Sequence, residues 1–222
     1  ATAIMTLPTG WIAGRIGKKQ LFMISITGFT LSSVLCGIAT SIDEMVLFRV
    51  IQGASGAALI PLSQSVLLDI NPREKHGSAM AIWGIGVMIG PVIGPTLGGY
   101  LTEYYDWRYV FFINLPLGAI CLVGISKFMP ESEKSDRPFD AFGFIMLALT
   151  IASIQLMLDR GQQEDWFNSY EIIAYCGATV GFFWMYIIHS RYARNPFYHV
   201  EMFRDRNYVT ASCFIFIVGI IL

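Results

Sequence analysis

Arg49 lies inside a long apolar run, Glu44 to Leu68, within Leu47-Phe48-Arg49-Val50-Ile51-Gln52-Gly53-Ala54-Ser55-Gly56. Arg49, Gln52, Gly53 and Gly56 are spaced i, i+3, i+4 and i+7, which gathers a fixed cation, an amide and two smooth positions on one helix face. A guanidinium at the centre of a spanning helix costs about 2.5–3.5 kcal/mol, so such a residue usually faces protein or water. A helix starting at Glu44 puts Arg49 about 7 Å from its end, close enough for the side chain to snorkel to the headgroups. Spacing leaves both placements open.

A second group is Gly84 to Gly99. Gly86, Gly90, Gly94 and Gly98 recur every four residues, a stripe without side chains that permits close helix contact, and Gly99 follows the last of them. Pro91 and Pro95 each remove a backbone donor, so the same segment is expected to bend. Tight packing alone accounts for the glycines; the paired prolines add the reading of a bend used by moving helices. A third group is the short polar reversal Gly10-Trp11-Ile12-Ala13-Gly14-Arg15-Ile16-Gly17-Lys18-Lys19. Gly14 and Gly17 suit a tight turn, and Arg15, Lys18 and Lys19 can meet carboxylates, helix C-termini or anionic lipid. A plain charge anchor explains most of this loop.

Weaker candidates surround these groups. Gln64 and Gln155 lie in apolar runs and suit interhelical hydrogen bonds better than substrate contacts. His76, His189 and His199 fall at or beyond the ends of runs, where solvated rings are expected. Tyr104, Tyr105, Trp107, Tyr109, Trp166 and Phe167 crowd the same boundary, as an aromatic belt does. Cys36, Cys121, Cys176 and Cys213 show no CxxC or Cys/His pairing, so no disulfide framework or metal site is expected. No nucleophile/base pair or phosphate loop is visible either, which argues against an enzyme.

The elements that position these residues follow from composition. Of 222 residues, 55% are hydrophobic and 14% charged, with a mean hydropathy of +0.56, which marks an integral membrane protein. The net charge of −1 excludes the basic surface that nucleic-acid binding needs. Breaks at charge, proline and turn residues give spans near Leu21–Ala39, Glu44–Leu68, Ser78–Leu101, Tyr109–Phe128, Ala141–Leu158 and Tyr170–His189, with partial spans at both ends. Runs of this length must satisfy their backbone internally, so an all-α bundle is expected and a β-barrel is not.

Orientation follows from loop charge. Arg15, Lys18, Lys19, Arg73, Lys75, Lys127, Lys134, Arg137, Arg191, Arg194, Arg204 and Arg206 occupy one set of alternate loops, and only Arg108 and Arg160 the other. The first set is therefore expected to be cytoplasmic. The longest external loop is Asp159–Ser169, too short for a soluble catalytic domain. Met129 to Asp140, charged and carrying Pro130 and Pro138, reads equally as a boundary between two bundles and as an ordinary loop. The chain starts without Met inside an apolar run, shows no signal peptide and stops inside another run, so it reads as a fragment.

These segments resemble the major facilitator superfamily, and within it the fourteen-span drug:proton antiporter branch. Gly10 to Lys19 is similar to the loop between that family's second and third helices, Leu47 to Gly56 to the Arg motif of its fourth, and Gly84 to Gly99 to the antiporter motif of its fifth. Trp107 to Gly118, Asp140-Ala141-Phe142-Gly143 and Leu158 to Gln162 followed by Asp165-Trp166-Phe167 resemble the branch's multidrug export members. The resemblance implies a fragment running from the end of helix two to the start of helix nine. Residues 1–128 would then be the rest of the N-terminal bundle, 129–140 a cytoplasmic linker, 141–189 the extra helix pair, and 190–222 a cytoplasmic loop and the start of the C-terminal bundle.

It further implies a multi-pass protein of the bacterial inner membrane that exports lipophilic or cationic drugs in exchange for protons by alternating access. The proton gradient would be the energy source and no cofactor or metal is implied. Arg49 with Gln52 and Gly53 would serve proton coupling, Gly86, Gly90, Pro91, Gly94, Pro95, Gly98 and Gly99 the exchange-favouring bend, and Gly10, Arg15, Gly17 and Lys18 the cytoplasmic gate loop. The titrating carboxylate would lie in the family's first helix. A periplasmic adaptor and an outer-membrane channel would be partners. The family usually has Asp where this chain has Gly14, so a carboxylate lock in that loop is not carried over. Export of an endogenous metabolite on the same scaffold, or an inactive membrane fragment, are the competing readings.

Overall fold

The computed structural model describes residues 1–193, 195–197, 202 and 204–221, so Arg194 and His199 lie outside the described residues. It is built from helices, and no strand occurs among the described residues. In chain order these are α1 (Thr2–Thr6), α2 (Thr9–Ile16), α3 (Lys18–Ile38), α4 (Ile42–Gly56), α5 (Leu59–Ile70), α6 (His76–Tyr104), α7 (Tyr109–Phe112), α8 (Asn114–Phe128), α9 (Ala141–Gly161), α10 (Tyr170–Tyr192) and α11 (Arg206–Ile221). Six stretches among the described residues are long and apolar enough to cross a bilayer: 18–38, 42–70, 73–104, 109–128, 141–161 and 170–192. They coincide with the six expected spans and run a few residues past several of them, because backbone bonding continues beyond the apolar run into the charged margins. The protein is a multi-pass membrane protein.

Helix ends are set by local chemistry. Gly17, at φ +102°, takes a left-handed conformation that other residues resist and separates α2 from α3. The Ser41 hydroxyl accepts the Glu44 N–H at 3.2 Å, and the Glu44 carboxylate accepts the Thr40 N–H at 2.9 Å and its hydroxyl at 3.0 Å. This is a capping box in all but the position of the returning contact, and it starts α4. Asp140 caps α9 by accepting the Gly143 N–H at 2.9 Å, and Ser169 caps α10.

The chain divides into two compact units, Ala1–Arg137 and Pro138–Leu222. In the first, α3 is the central helix and packs against α2, α4, α5, α7 and α8. Its buried residues include Ser25, Thr30, Ser32, Ser33 and Cys36, small enough for neighbouring backbones to come close. A Cβ at Gly28 would stand 2.6 Å from Ser55 Oγ, one at Gly37 2.6 Å from the Phe112 ring, and one at Gly118 would collide with Thr30. These approaches fix how α4, α7 and α8 lie on α3. In the second unit α9 and α10 form an antiparallel hairpin. At one end of it the Asp140 carboxylate accepts from His189 Nε2 at 2.8 Å, and at the other Arg160 pairs with Glu171 at 2.5 Å.

Candidate functional site

The face of α4 that carries Arg49 is tied into the first unit by a directional hydrogen-bond chain. Arg49 Nη1 donates to Gln52 Oε1 at 3.1 Å, Gln52 Nε2 donates to Ser33 Oγ at 2.8 Å, and Asn114 Nδ2 donates to the same Ser33 oxygen at 2.7 Å. The Arg49 guanidinium lies over the Phe111 ring, 4.6 Å from its centroid, a cation–π contact. Gln52 is 5% exposed and Ser33 0%, while Arg49 itself stays exposed. Four elements contribute: α3 gives Ser33, α4 gives Arg49 and Gln52, α7 gives Phe111, and α8 opens with Asn114. Gly53 lies beside α1, where an added Cβ would stand 2.9 Å from Thr2 Oγ1, and Gly56 faces Phe29. Arg49 thus has a polar partner on its own helix and an aromatic one on α7.

The Gly10–Lys19 segment, expected as a loop, is helical up to Ile16 and again from Lys18, with the turn confined to Gly17, and it is the seat of a second cluster. Lys18 Nζ bonds Ser65 Oγ at 2.7 Å and forms an ion pair with Asp69 of α5. The segment after α8 lies back across the same reversal. Trp11 Nε1 donates to the Arg137 carbonyl at 2.8 Å, the Ser135 N–H to the Gly14 carbonyl at 2.7 Å, and the Lys18 N–H to Ser132 Oγ at 2.8 Å. Arg15 pairs with Asp136 at 3.3 Å, and Lys19 Nζ donates to the Ser126 carbonyl at 3.0 Å. Residues 132–137 therefore form a strap over the turn. An added Cβ at Gly14 would sit 3.7 Å from Ser135, in ordinary contact.

The glycine stripe stands apart from both clusters. α6 runs unbroken from His76 to Tyr104 through Pro91 and Pro95. Among the described residues, nothing lies within 4 Å of a Cβ added at Gly86, Gly90, Gly94, Gly98 or Gly99. Close neighbours are instead met at Gly53 and Gly56, on the Arg49 face of α4, and at Gly28, Gly37 and Gly118, which no regular spacing marks. α6 is held to α5 by the Trp83 indole, which donates to Ser63 at 2.9 Å. Gln155 differs from expectation: its amide donates to Asp159 at 3.0 and 3.1 Å, one turn along its own helix instead of across to another.

The model of the major facilitator superfamily matches residues 1–222. The chain belongs to that superfamily. Within it, 39% identity over 210 residues links the chain to the multidrug export protein EmrB of Haemophilus influenzae, covering 94% of this chain and 41% of that protein. EmrB of Escherichia coli K12 is 38% identical over 215 residues, 96% of this chain and 42% of that protein. The fatty acid resistance protein FarB of Neisseria gonorrhoeae is 36% identical over 214 residues, with the same two shares of 96% and 42%. The chain spans about two fifths of the length of these curated relatives.

For this superfamily member, the sequence brought Arg49, Gln52 and Gly53 to one face, and the structure joins the first two directly. Sequence reasoning missed Ser33, Phe111 and Asn114. Asn114 stood out only as part of the family-like Ile113-Asn114-Leu115-Pro116 run, and Ser33 as one small residue in an apolar helix. It also missed the strap, whose contacts join residues more than a hundred positions apart, such as Trp11 and Arg137.

Proposed function

We propose that this chain is the central part of a proton-coupled exporter of lipophilic or cationic small molecules, working by alternating access in the bacterial inner membrane. The observation that carries the reading is the Arg49–Gln52 pair held on a packed helix face, in a chain whose relatives are named for multidrug export. Arg49 acts as a fixed positive charge. Facing a carboxylate supplied from outside this chain, it lowers that group's pKa and ties proton release to the charge state of the cavity. Gly53 and Gly56 keep the neighbouring face smooth. The proton gradient supplies the energy, with no cofactor, metal or chemical conversion of the substrate.

The remaining segments take supporting roles. Residues 1–128 belong to one bundle, 129–140 link it to the extra hairpin at 141–189, and 190–222 lead into the second bundle. Gly86, Gly90, Pro91, Gly94, Pro95, Gly98 and Gly99 bend α6 and let it close against a moving partner helix. Gly10, Arg15, Gly17 and Lys18 form the cytoplasmic gate loop, with the Lys18–Asp69 pair doing what a carboxylate at position 14 would do elsewhere in the family. A periplasmic adaptor and an outer-membrane channel complete the export path. A second reading, export of an endogenous amphipathic acid, draws support from the relative named for fatty acid resistance.

The test is transport in liposomes. Full-length protein under an imposed pH gradient should accumulate a cationic dye, Arg49→Ala should lose that accumulation, and empty vesicles should show none. Folded wild type that moves no dye above empty vesicles, yet moves a long-chain fatty acid, would favour the second reading; movement of neither would reject both.

A further inference from the structure

The hydrogen-bond chain that ends at Arg49 has only one consistent direction. A guanidinium donates and never accepts, so the Gln52 oxygen must face Arg49. That turns the Gln52 amide nitrogen to Ser33, which must therefore accept at 2.8 Å. Asn114, the first residue of α8, donates to the same Ser33 oxygen at 2.7 Å. Phe111 stands three positions earlier, on the same side of that span, and carries its ring under the guanidinium. The link from span 109–128 to the polar face of α4 thus consists of one aromatic contact and one amide that acts through a serine.

We infer that Asn114 is a positioning residue for Arg49: through Ser33 and Gln52 it holds the guanidinium on the bundle side of α4 and away from the headgroups that lie within its reach. This rests on the coupling role proposed above for Arg49. Three observations support it. Ser33 is fully buried, so its oxygen has protein partners or none, and it is placed to accept two amides at once. Gln52 is buried as well, so an unpaired amide there is penalised and the chain holds together as a unit. Finally, Arg49 is long enough to snorkel and is bonded within this chain to the Gln52 oxygen, so its orientation depends on that tether. Gly118, one turn further along α8, sits against Thr30 of α3 and fixes the distance from which Asn114 reaches Ser33.

The variants that test this are Asn114→Leu, which keeps the volume and removes the donor, Ser33→Ala, which cuts the chain at its middle by one oxygen, and the double variant. Each is measured in the full-length protein in liposomes beside wild type and Arg49→Ala, with a cationic dye as the probe. Each single variant should lower gradient-driven accumulation by about three- to tenfold, the range that one intramolecular hydrogen bond supports. The KM for the dye and its downhill equilibration without a gradient should be unchanged. The pH midpoint of exchange should move upward, because a carboxylate less well served by Arg49 holds its proton to higher pH. The double variant should be no worse than Ser33→Ala, since both act through one oxygen.

Additive losses, an unmoved pH midpoint, or an equal fall in downhill equilibration would overturn the assignment and leave Asn114 a packing residue. Wild type and Arg49→Ala behaving alike would instead overturn the coupling role itself, and this inference with it.

Discussion

Replacing Gln52 by leucine removes the oxygen that holds Arg49 while nearly conserving volume in a site that is 5% exposed. Two interactions go. The bond from the guanidinium, a hydrogen bond to a charged group, contributes about 1.5–3 kcal/mol, and the bond to Ser33 about 0.5–1.5 kcal/mol. Only the first acts on Arg49 directly. What remains to hold the guanidinium is the Phe111 ring at 4.6 Å, about 0.5–2 kcal/mol depending on its hydration. A net loss of about 2 kcal/mol corresponds to about a thirtyfold smaller ratio of inward-held to snorkelled Arg49. The assay compares pH-gradient-driven dye accumulation with downhill dye equilibration in the same vesicles. Gln52→Leu should cut the first about tenfold or more and spare the second. If Gln52→Leu accumulates dye within twofold of wild type, the tether does not set the position of Arg49 and the reasoning fails.

Four further outcomes follow from the geometry. Gly118→Ala should destabilise the protein by about 1–3 kcal/mol, seen as a lower thermal midpoint in detergent, because the new methyl runs into Thr30. Gly94→Val should impair gradient-driven transport, because this position is open among the described residues and the proposed closure of α6 on a partner helix needs a smooth face there. Ser135→Pro should free the strap by removing the N–H that bonds Gly14, and a glutamate-specific protease should then cleave faster after Glu131 and Glu133 in inside-out vesicles. Asp136→Ala should cost less than about 1 kcal/mol, because the Arg15 pair it breaks is exposed on both sides, 55% and 95%.

The spans were legible in the sequence because the bilayer imposes one rule on all of them: long apolar runs bounded by charge become helices. Arg49 was legible for the same reason, being an ion inside such a run. Its companions Ser33 and Asn114 were not, because a serine in an apolar helix and an amide at a helix start mostly serve local bonding, and only the packing of α3 against α8 brings them together. The glycines show the opposite case. Regular spacing marks Gly86, Gly90, Gly94 and Gly98, which meet no neighbour among the described residues, and Gly53 and Gly56, which do; Gly28, Gly37 and Gly118 make close contacts without any such spacing. Each of these three meets a different helix, Gly28 meeting α4, Gly37 α7 and Gly118 α3, so no sequence period marks them. His189 looked like a solvated end residue, but the hairpin brings it to Asp140, 49 positions away.

Proton movement linked to substrate movement tests the central claim most directly. A pH-sensitive dye is sealed in liposomes that hold the full-length protein, with equal pH on both sides, and a lipophilic cation is added outside. Exchange predicts that the lumen turns alkaline as the cation enters and protons leave, and that Arg49→Ala abolishes this signal. Cation entry with no change in lumen pH, or an equal change in Arg49→Ala, would contradict the account.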